Sequence, residues 1–144
     1  MAEHFKRPSV TVDIVVENKN NQILLVRRAH HPFKDYWALP GGFLEVEKET
    51  CTDAAKRELK EETGLVVHLK DLQLFGESSN PKRDPRGHIV SLHYAVRNYQ
   101  NNAIAGDDAA AIKWWRLDSL PPLAFDHAEI LDKYMDFRRE KYGK

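Results

Sequence analysis

An α+β domain with a mixed β-sheet lying between helices is the fold class this sequence predicts, and three observations predict it. Apolar residues alternate over 10–16 and 90–96 with the period of strands. The stretches 50–64 and 125–137 carry the caps and the three-to-four spacing of helices. The order is strands, helix, strands, helix within 144 residues, a length that suits one domain with a real core. No repeat, low-complexity stretch or linker divides the chain, so residues 1–144 read as a single domain.

After a loose start, Val10, Val12, Ile14 and Val16 fall on one face and Thr11 and Asp13 on the other. That pattern predicts a strand with one buried face. Asn18-Lys19-Asn20-Asn21 makes a turn, and residues 22–26 form a second strand expected to pair with the first as a hairpin. It ends in Arg27 and Arg28, which are either solvated or phosphate ligands. His30-His31-Pro32-Phe33 is a loop, and Tyr36 to Leu39 is a short strand stopped by Pro40. Gly41-Gly42 is expected to turn tightly, with close backbone approach and carbonyls free to face the next helix.

Beyond that helix, residues 65–69 and 72–77 are strand-like. The polar stretch 78–88 is either a mobile connector or a phosphate or sugar clamp using Arg83 and Arg86. Val90, Leu92, Tyr94 and Val96 alternate with Ser91, His93 and Arg97 in a clear strand, and 110–116 make another. Asp107 and Asp108 before it are turn residues or bring a carboxylate to the site. At the last helix Asp126 and Glu129 have capping-box spacing, and Phe125 can staple onto Ile130. Ile130, Tyr134 and Phe137 form the stripe that docks on the sheet, followed by a solvated basic tail from Arg138 to Lys141.

Composition excludes several classes. Lysine and arginine balance aspartate and glutamate, 22 against 22, so no overall basic field attracts nucleic acid. Apolar runs of about four residues are far short of a membrane span. The single cysteine, Cys51, excludes an internal disulfide and fits a reducing cytosol. The start, MAEHFKRPSV, has no apolar signal core. A cytoplasmic location is therefore expected.

The first helix carries the chemistry. Thr50 or Thr52 can cap it, and Gly64 suits the left-handed position at its end. At about 100° per residue, Glu58, Glu61 and Glu62 fall within an arc of about 100°, shared with Cys51, Ala54 and Ala55. Asp53, Lys56, Lys60 and Thr63 fill the opposite, water-facing side. Carboxylates crowded on the apolar side repel one another unless a cation lies between them. A hard divalent ion, Mg²⁺ or Mn²⁺, answers that need. Taken alone, such glutamates more often mean a solvated helix held by pairs such as Arg57 with Glu61.

The run Arg57-Glu58-Leu59-Lys60-Glu61-Glu62-Thr63-Gly64-Leu65, with Glu49 set seven residues before Arg57, resembles the Nudix box. One departure is that six residues, not five, separate Gly42 from Glu49. The extra residue is expected in the loop Glu45 to Lys48, leaving the helix intact. The resemblance implies the Nudix α/β/α sandwich and hydrolysis of a nucleoside diphosphate linked to a second group. It implies Glu58 and Glu62 as metal ligands, helped by Glu61 and the Gly41 carbonyl, with Glu49 pairing with Arg57 to hold the helix. Glu61 and Asp108, the latter beside Asp107, are the candidate general bases.

Residues Asn80 to His88 and Leu123 to Leu131 are similar to a loop and a tail of Nudix enzymes acting on ADP-ribose. This implies cleavage of ADP-ribose to AMP and ribose 5-phosphate. Arg27, Arg28, Arg83 and Arg86 are then the phosphate contacts, and Phe33, Trp37 or Phe125 stacks on adenine. Nucleoside triphosphates or other nucleotide sugars are the alternative substrates. A further alternative is a non-catalytic ADP-ribose-sensing domain, as in related transcription regulators whose DNA-binding domain this chain is too short to include. A homodimer is the assembly the resemblance allows.

Overall fold

Seven strands and two longer helices account for most of the chain: β1 (Ser9–Val16), β2 (Gln22–Arg28), β3 (Trp37–Ala38), β4 (Gly41–Phe43), α1 (Cys51–Thr63), β5 (Gln73–Ser78), β6 (Ile89–Val96), β7 (Ala109–Arg116) and α2 (His127–Tyr142). The computed structural model describes residues 6–106 and 109–144. Asp107 and Asp108, and whatever role the second has as a base, lie outside the described residues. None of the described helices is long and apolar enough to cross a membrane.

The strands form two sheets, ordered β4-β1-β6-β5 and β3-β2-β7. β1 runs parallel to β6, and the remaining pairs are antiparallel. Val12, Ile14 and Val16 of β1 and Leu24 of β2 pack on Ala54, Ala55 and Leu59 of α1. The intervening Val15, Ile23 and Leu25 pack on Ile130, Leu131 and Tyr134 of α2. Alternate residues of one strand thus serve opposite helices, giving the expected α/β/α layering.

Two strand readings are corrected. β1 is buried on both faces, Thr11 and Asp13 included. Alternation here separates two covered faces rather than a core face from a wet one. Nor do β1 and β2 form a hairpin. A strand has two edges, and those of β1 are taken by β4 and β6. After the Asn18 turn, in which Asn18 Oδ1 accepts the Asn20 and Gln22 amides, a single bridge joins Glu17 to Ile23. The chain then passes to the other sheet. Residues 65–69 also fail to make a full strand: Val66 bridges Gln100, while Leu65 and Val67 sink into the core.

The first helix begins with Thr50, whose hydroxyl accepts the Asp53 amide while Asp53 accepts the Thr50 amide. It ends at Gly64, at φ 76°, where the amide bonds the Lys60 carbonyl. Thr63, expected in water, is fully buried and donates its hydroxyl to the Leu59 carbonyl. At the far end of α2, Arg138 is corrected from solvated tail to buried anchor. It grips Glu17 with both Nε and Nη2 at 2.9 Å, and Tyr134 donates to the same carboxylate at 2.5 Å. Burial alone would raise the Glu17 carboxyl, but the Arg138 and Tyr134 hydrogen bonds hold it below its ordinary value.

Candidate active site

Burial of Thr63 re-centres the buried face of α1. Ala54, Ala55, Leu59 and Thr63 are its buried residues, and on a helical wheel Glu62 and Glu58 lie among them and Glu61 just beyond their edge. The three glutamates are therefore not equivalent. Burial first, then repulsion from Glu58 and Asp13, pushes the Glu62 carboxyl up to about 8, against the opposing Gly41 hydrogen bond and Arg28 charge. Burial also raises Glu58, although Arg57 opposes it. The Glu61 side chain is 59% exposed and turns to Arg57 Nη1 at 3.1 Å. Among the described residues no three histidine, cysteine or acidic groups converge tightly enough to enclose a metal ion. The structure brings Glu58 and Glu62 together and leaves Glu61 facing outward.

β4 approaches this pair along its backbone. Gly41-Gly42, expected as a turn, is a short extended edge strand paired with β1. Glycine is required by proximity. A Cβ on Gly42 would lie 2.4 Å from Glu58 Oε2, and one on Gly41 2.0 Å from the Val12 carbonyl oxygen. The Gly41 amide donates to Glu62 Oε1 at 3.0 Å. In an extended strand a residue's N–H and C=O leave on the same edge. The Gly41 carbonyl accordingly leaves β4 on the edge facing α1, and the Phe43 carbonyl on that edge accepts Arg57 Nη2.

Arg57 is the brace. It forms a two-point pair with Glu49, both contacts at 2.8 Å, and reaches Glu58 at 2.7 Å. The 43–48 stretch turns before the helix. Glu47 takes φ 69°, Lys48 closes a turn onto the Glu45 carbonyl, and the Glu45 amide caps Glu49. The pairing of Glu49 with Arg57 survives intact. The Arg57 hydrogen bonds hold the Glu49 carboxyl below its ordinary value.

A cavity of about 460 Å³ opens beside these groups. Glu58, Glu62 and the β4 glycines form one wall; Arg27 and Arg28 of β2 form another; Arg83, Arg86 and Phe125 close it. Arg27 Nε is buried without a hydrogen-bond partner among the described residues. Arg28 donates to the Pro32 carbonyl and lies 4.9 Å from the centre of the Phe125 ring. Arg86 is held by Asp84 and sits 5.0 Å from the Phe43 ring and 5.2 Å from Phe125. Phe33 packs on Phe125 from 4.8 Å. Arg83 is fully engaged: Nε and Nη2 grip Asp126 at 2.9 and 2.6 Å, and Nη1 reaches the Ile89 carbonyl.

That pairing also undoes the predicted cap of α2, because Asp126 makes no side-chain cap bond. Phe125 turns into the cavity group with Val26 and Ala124 instead of stapling onto Ile130. Trp37 does not line the cavity. Its ring stands edge-on to Trp115, 5.2 Å away, within the core beneath α2. Sequence reasoning missed Asp13 and His127, both of which line the cavity. The available signal was an aspartate inside an otherwise apolar strand.

Two carboxyls raised chiefly by burial, and further by neighbouring carboxylates, lie beside an outward backbone carbonyl and form a hard-oxygen donor set that fits a divalent cation. Arginines opposite them suit phosphate oxygens.

Comparison with known proteins agrees with this geometry. The NUDIX domain family model matches residues 7–134. The chain is 45% identical over 134 residues to an ADP-ribose pyrophosphatase of Methanocaldococcus jannaschii, covering 93% of this chain and 77% of that protein. It is 36% identical to the ADPR responsive transcriptional repressor NtrR of Acinetobacter baylyi over 90% of its own length, but spans only 54% of the repressor. Among solved structures, a bifunctional NMN adenylyltransferase/ADP ribose pyrophosphatase from Francisella tularensis, complexed with AMP and a manganese ion, superposes with a TM-score of 0.81 at 34% identity. That match covers 92% of this chain and 42% of the other. The chain belongs to the NUDIX domain family.

Proposed function

We propose that the protein is a divalent-metal-dependent hydrolase of the diphosphate bond in a nucleoside diphosphate linked to a second group, and that its substrate is ADP-ribose, cleaved to AMP and ribose 5-phosphate. The observation that carries this reading is the strained pair Glu58 and Glu62 facing arginines across one cavity. The 45% identity to an ADP-ribose pyrophosphatase supports the substrate.

In this reading Glu58, Glu62 and the Gly41 carbonyl hold Mg²⁺ or Mn²⁺, with Glu61 assisting. The ion would neutralise diphosphate charge and lower the pKa of a bound water. Arg27 and Arg28 bind phosphate oxygens, and Arg86 does so once it swings from Asp84. Water adds to one phosphorus as the bridging P–O bond breaks, and its proton passes to a carboxylate. Glu61 and Asp108 are the candidate bases. Glu49 and Arg57 keep α1 in register with β4. Phe125, with Phe33 behind it, offers the ring surface for adenine.

Incubating the protein with Mg²⁺ and a panel of ADP-ribose, other ADP-sugars, NADH and nucleoside triphosphates tests the proposal by product identification. AMP and ribose 5-phosphate from ADP-ribose is the expected result. Preferred cleavage of a triphosphate sinks the substrate, and tight binding without turnover favours a sensing domain related to the repressor.

A further inference from the structure

Beyond its charge repulsion on Glu62, Asp13 has no role in the chemistry above, yet it lines the cavity. It sits inside β1, opposite Gly41 on one side and His93 on the other. A carboxylate among valines and isoleucines needs compensation, and the fold supplies it on one side only. The Ser91 hydroxyl donates to Oδ2. His127 faces Oδ1, and its protonation is set by the backbone: Nδ1 accepts the Leu39 amide at 3.0 Å, so a neutral ring carries its proton on Nε2. That Nε2 stands 3.6 Å from Oδ1, near enough to orient the carboxylate and too far for a hydrogen bond.

Oδ1 therefore accepts no hydrogen bond among the described residues. Of the arginines that share the cavity, Arg83 is committed to Asp126, Arg86 to Asp84, and the Arg28 Nε to the Pro32 carbonyl, so Arg28 and Arg83 act on Asp13 through charge rather than a hydrogen bond. Glycine at 41 lets the strand backbone approach Asp13 closely, since a Cβ there would lie 2.9 Å from Oδ1. A carboxylate repels phosphate, so the part of the ligand that meets Asp13 is neutral and donates. Gly41 fixes which part that is. Its amide bonds Glu62, and across one strand spacing it faces Asp13. Asp13 is thus about one sugar away from the carboxylates that act on the diphosphate. In a ribosyl nucleoside diphosphate the group flanking the phosphates on either side is a ribose, whose hydroxyls are donors.

We propose that Asp13, held by Ser91 and oriented by His127, accepts a hydrogen bond from a sugar hydroxyl of the substrate and so selects ribosyl over deoxyribosyl or sugar-free diphosphates. The inference rests on the diphosphate reading of the site, and its test separates the two. kcat/KM is measured for the wild type and Asp13→Asn on ADP-ribose and on analogues lacking hydroxyls in either the adenosine ribose or the terminal ribose. If the wild type prefers another nucleotide from the panel, the ADP-ribose assignment fails, and Asp13 is tested on that nucleotide and its deoxy counterpart.

The wild type should lose roughly ten- to a hundredfold on one deoxy analogue, the worth of a hydrogen bond to a charged group. Asp13→Asn should lose as much on the parent substrate while discriminating little between parent and analogue. Which analogue responds identifies which ribose Asp13 reads. An equal loss on all substrates or no loss on any overturns the proposal. Should Asp13→Asn fail to fold, Ser91→Ala, which frees the carboxylate to rotate, must shrink the same discrimination ratio; an unchanged ratio overturns it.

Discussion

Replacing Arg83 with methionine distinguishes a structural arginine from a substrate ligand. Its side chain is 4% exposed and that of Asp126 14%. Methionine fills much of the apolar volume and donates nothing, leaving Asp126 as an unpaired, mostly buried carboxylate. Removing one partner of a buried pair costs about 3–5 kcal/mol. Water reaching Asp126 screens part of the charge, which places the cost near the lower end, about 3 kcal/mol. That is roughly a 150-fold change in the folding equilibrium and, for a chain of this length, about 10 °C in Tm.

The double variant Arg83→Met/Asp126→Leu removes both charges and should recover most of the loss, a coupling of about 2 kcal/mol or more. Urea titration of the four proteins measures it. If Arg83→Met costs less than about 1 kcal/mol while raising KM, the guanidinium serves the substrate and the pairing with Asp126 is incidental.

Other outcomes follow from the same geometry. Burial pushes the His93 imidazole down to about 4, so the folded state resists a proton that the unfolded chain takes up below about 6.5. Stability from this source is complete above pH 6.5 and is lost as pH falls toward 4, by about 3 kcal/mol at most; urea midpoints of His93→Phe should flatten over that window. Mg²⁺ or Mn²⁺ added to chelator-treated protein should raise Tm, by the equivalent of about 2.7 kcal/mol at a hundredfold excess over Kd; Glu62→Gln should abolish that shift, and a persisting shift places the ion elsewhere. Arg138→Leu should cost about 3–5 kcal/mol in chemical denaturation, because Glu17 has no exposure and keeps, among the described residues, the Tyr134 hydroxyl and the more distant Arg97 at 3.9 Å.

The first helix was legible because its information is local. The cap at Thr50, the stop at Gly64 and the pairing of Glu49 with Arg57 depend on residues within one stretch. What escaped is pairing across long sequence distances. Asp126 looks like a cap because a cap is the local use of an aspartate there, yet a guanidinium 43 positions away competes better for its oxygens. Arg138 looks like a solvated tail until Glu17, 121 positions earlier, is placed beside it. Thr63 was misassigned because its polarity was weighed and its hydroxyl's ability to satisfy itself on the Leu59 carbonyl was not. The β1–β2 hairpin failed for a topological reason: a short turn predicts pairing only if both strands have an edge to spare.

The same topology has a consequence during synthesis. Ser9 pairs with Ile89 and Val16 with Val96, so β1 leaves the ribosome well before β6 and waits for a partner about 80 positions later. At ordinary translation rates that delay is roughly 4–16 s. β2 waits longer still, for β7. A nascent chain holding the whole glutamate helix therefore has neither sheet closed beneath it. The cavity comes into being only when the chain is available through Phe125 and His127, and a chain halted short of β7 would display an acidic helix with nothing to act upon.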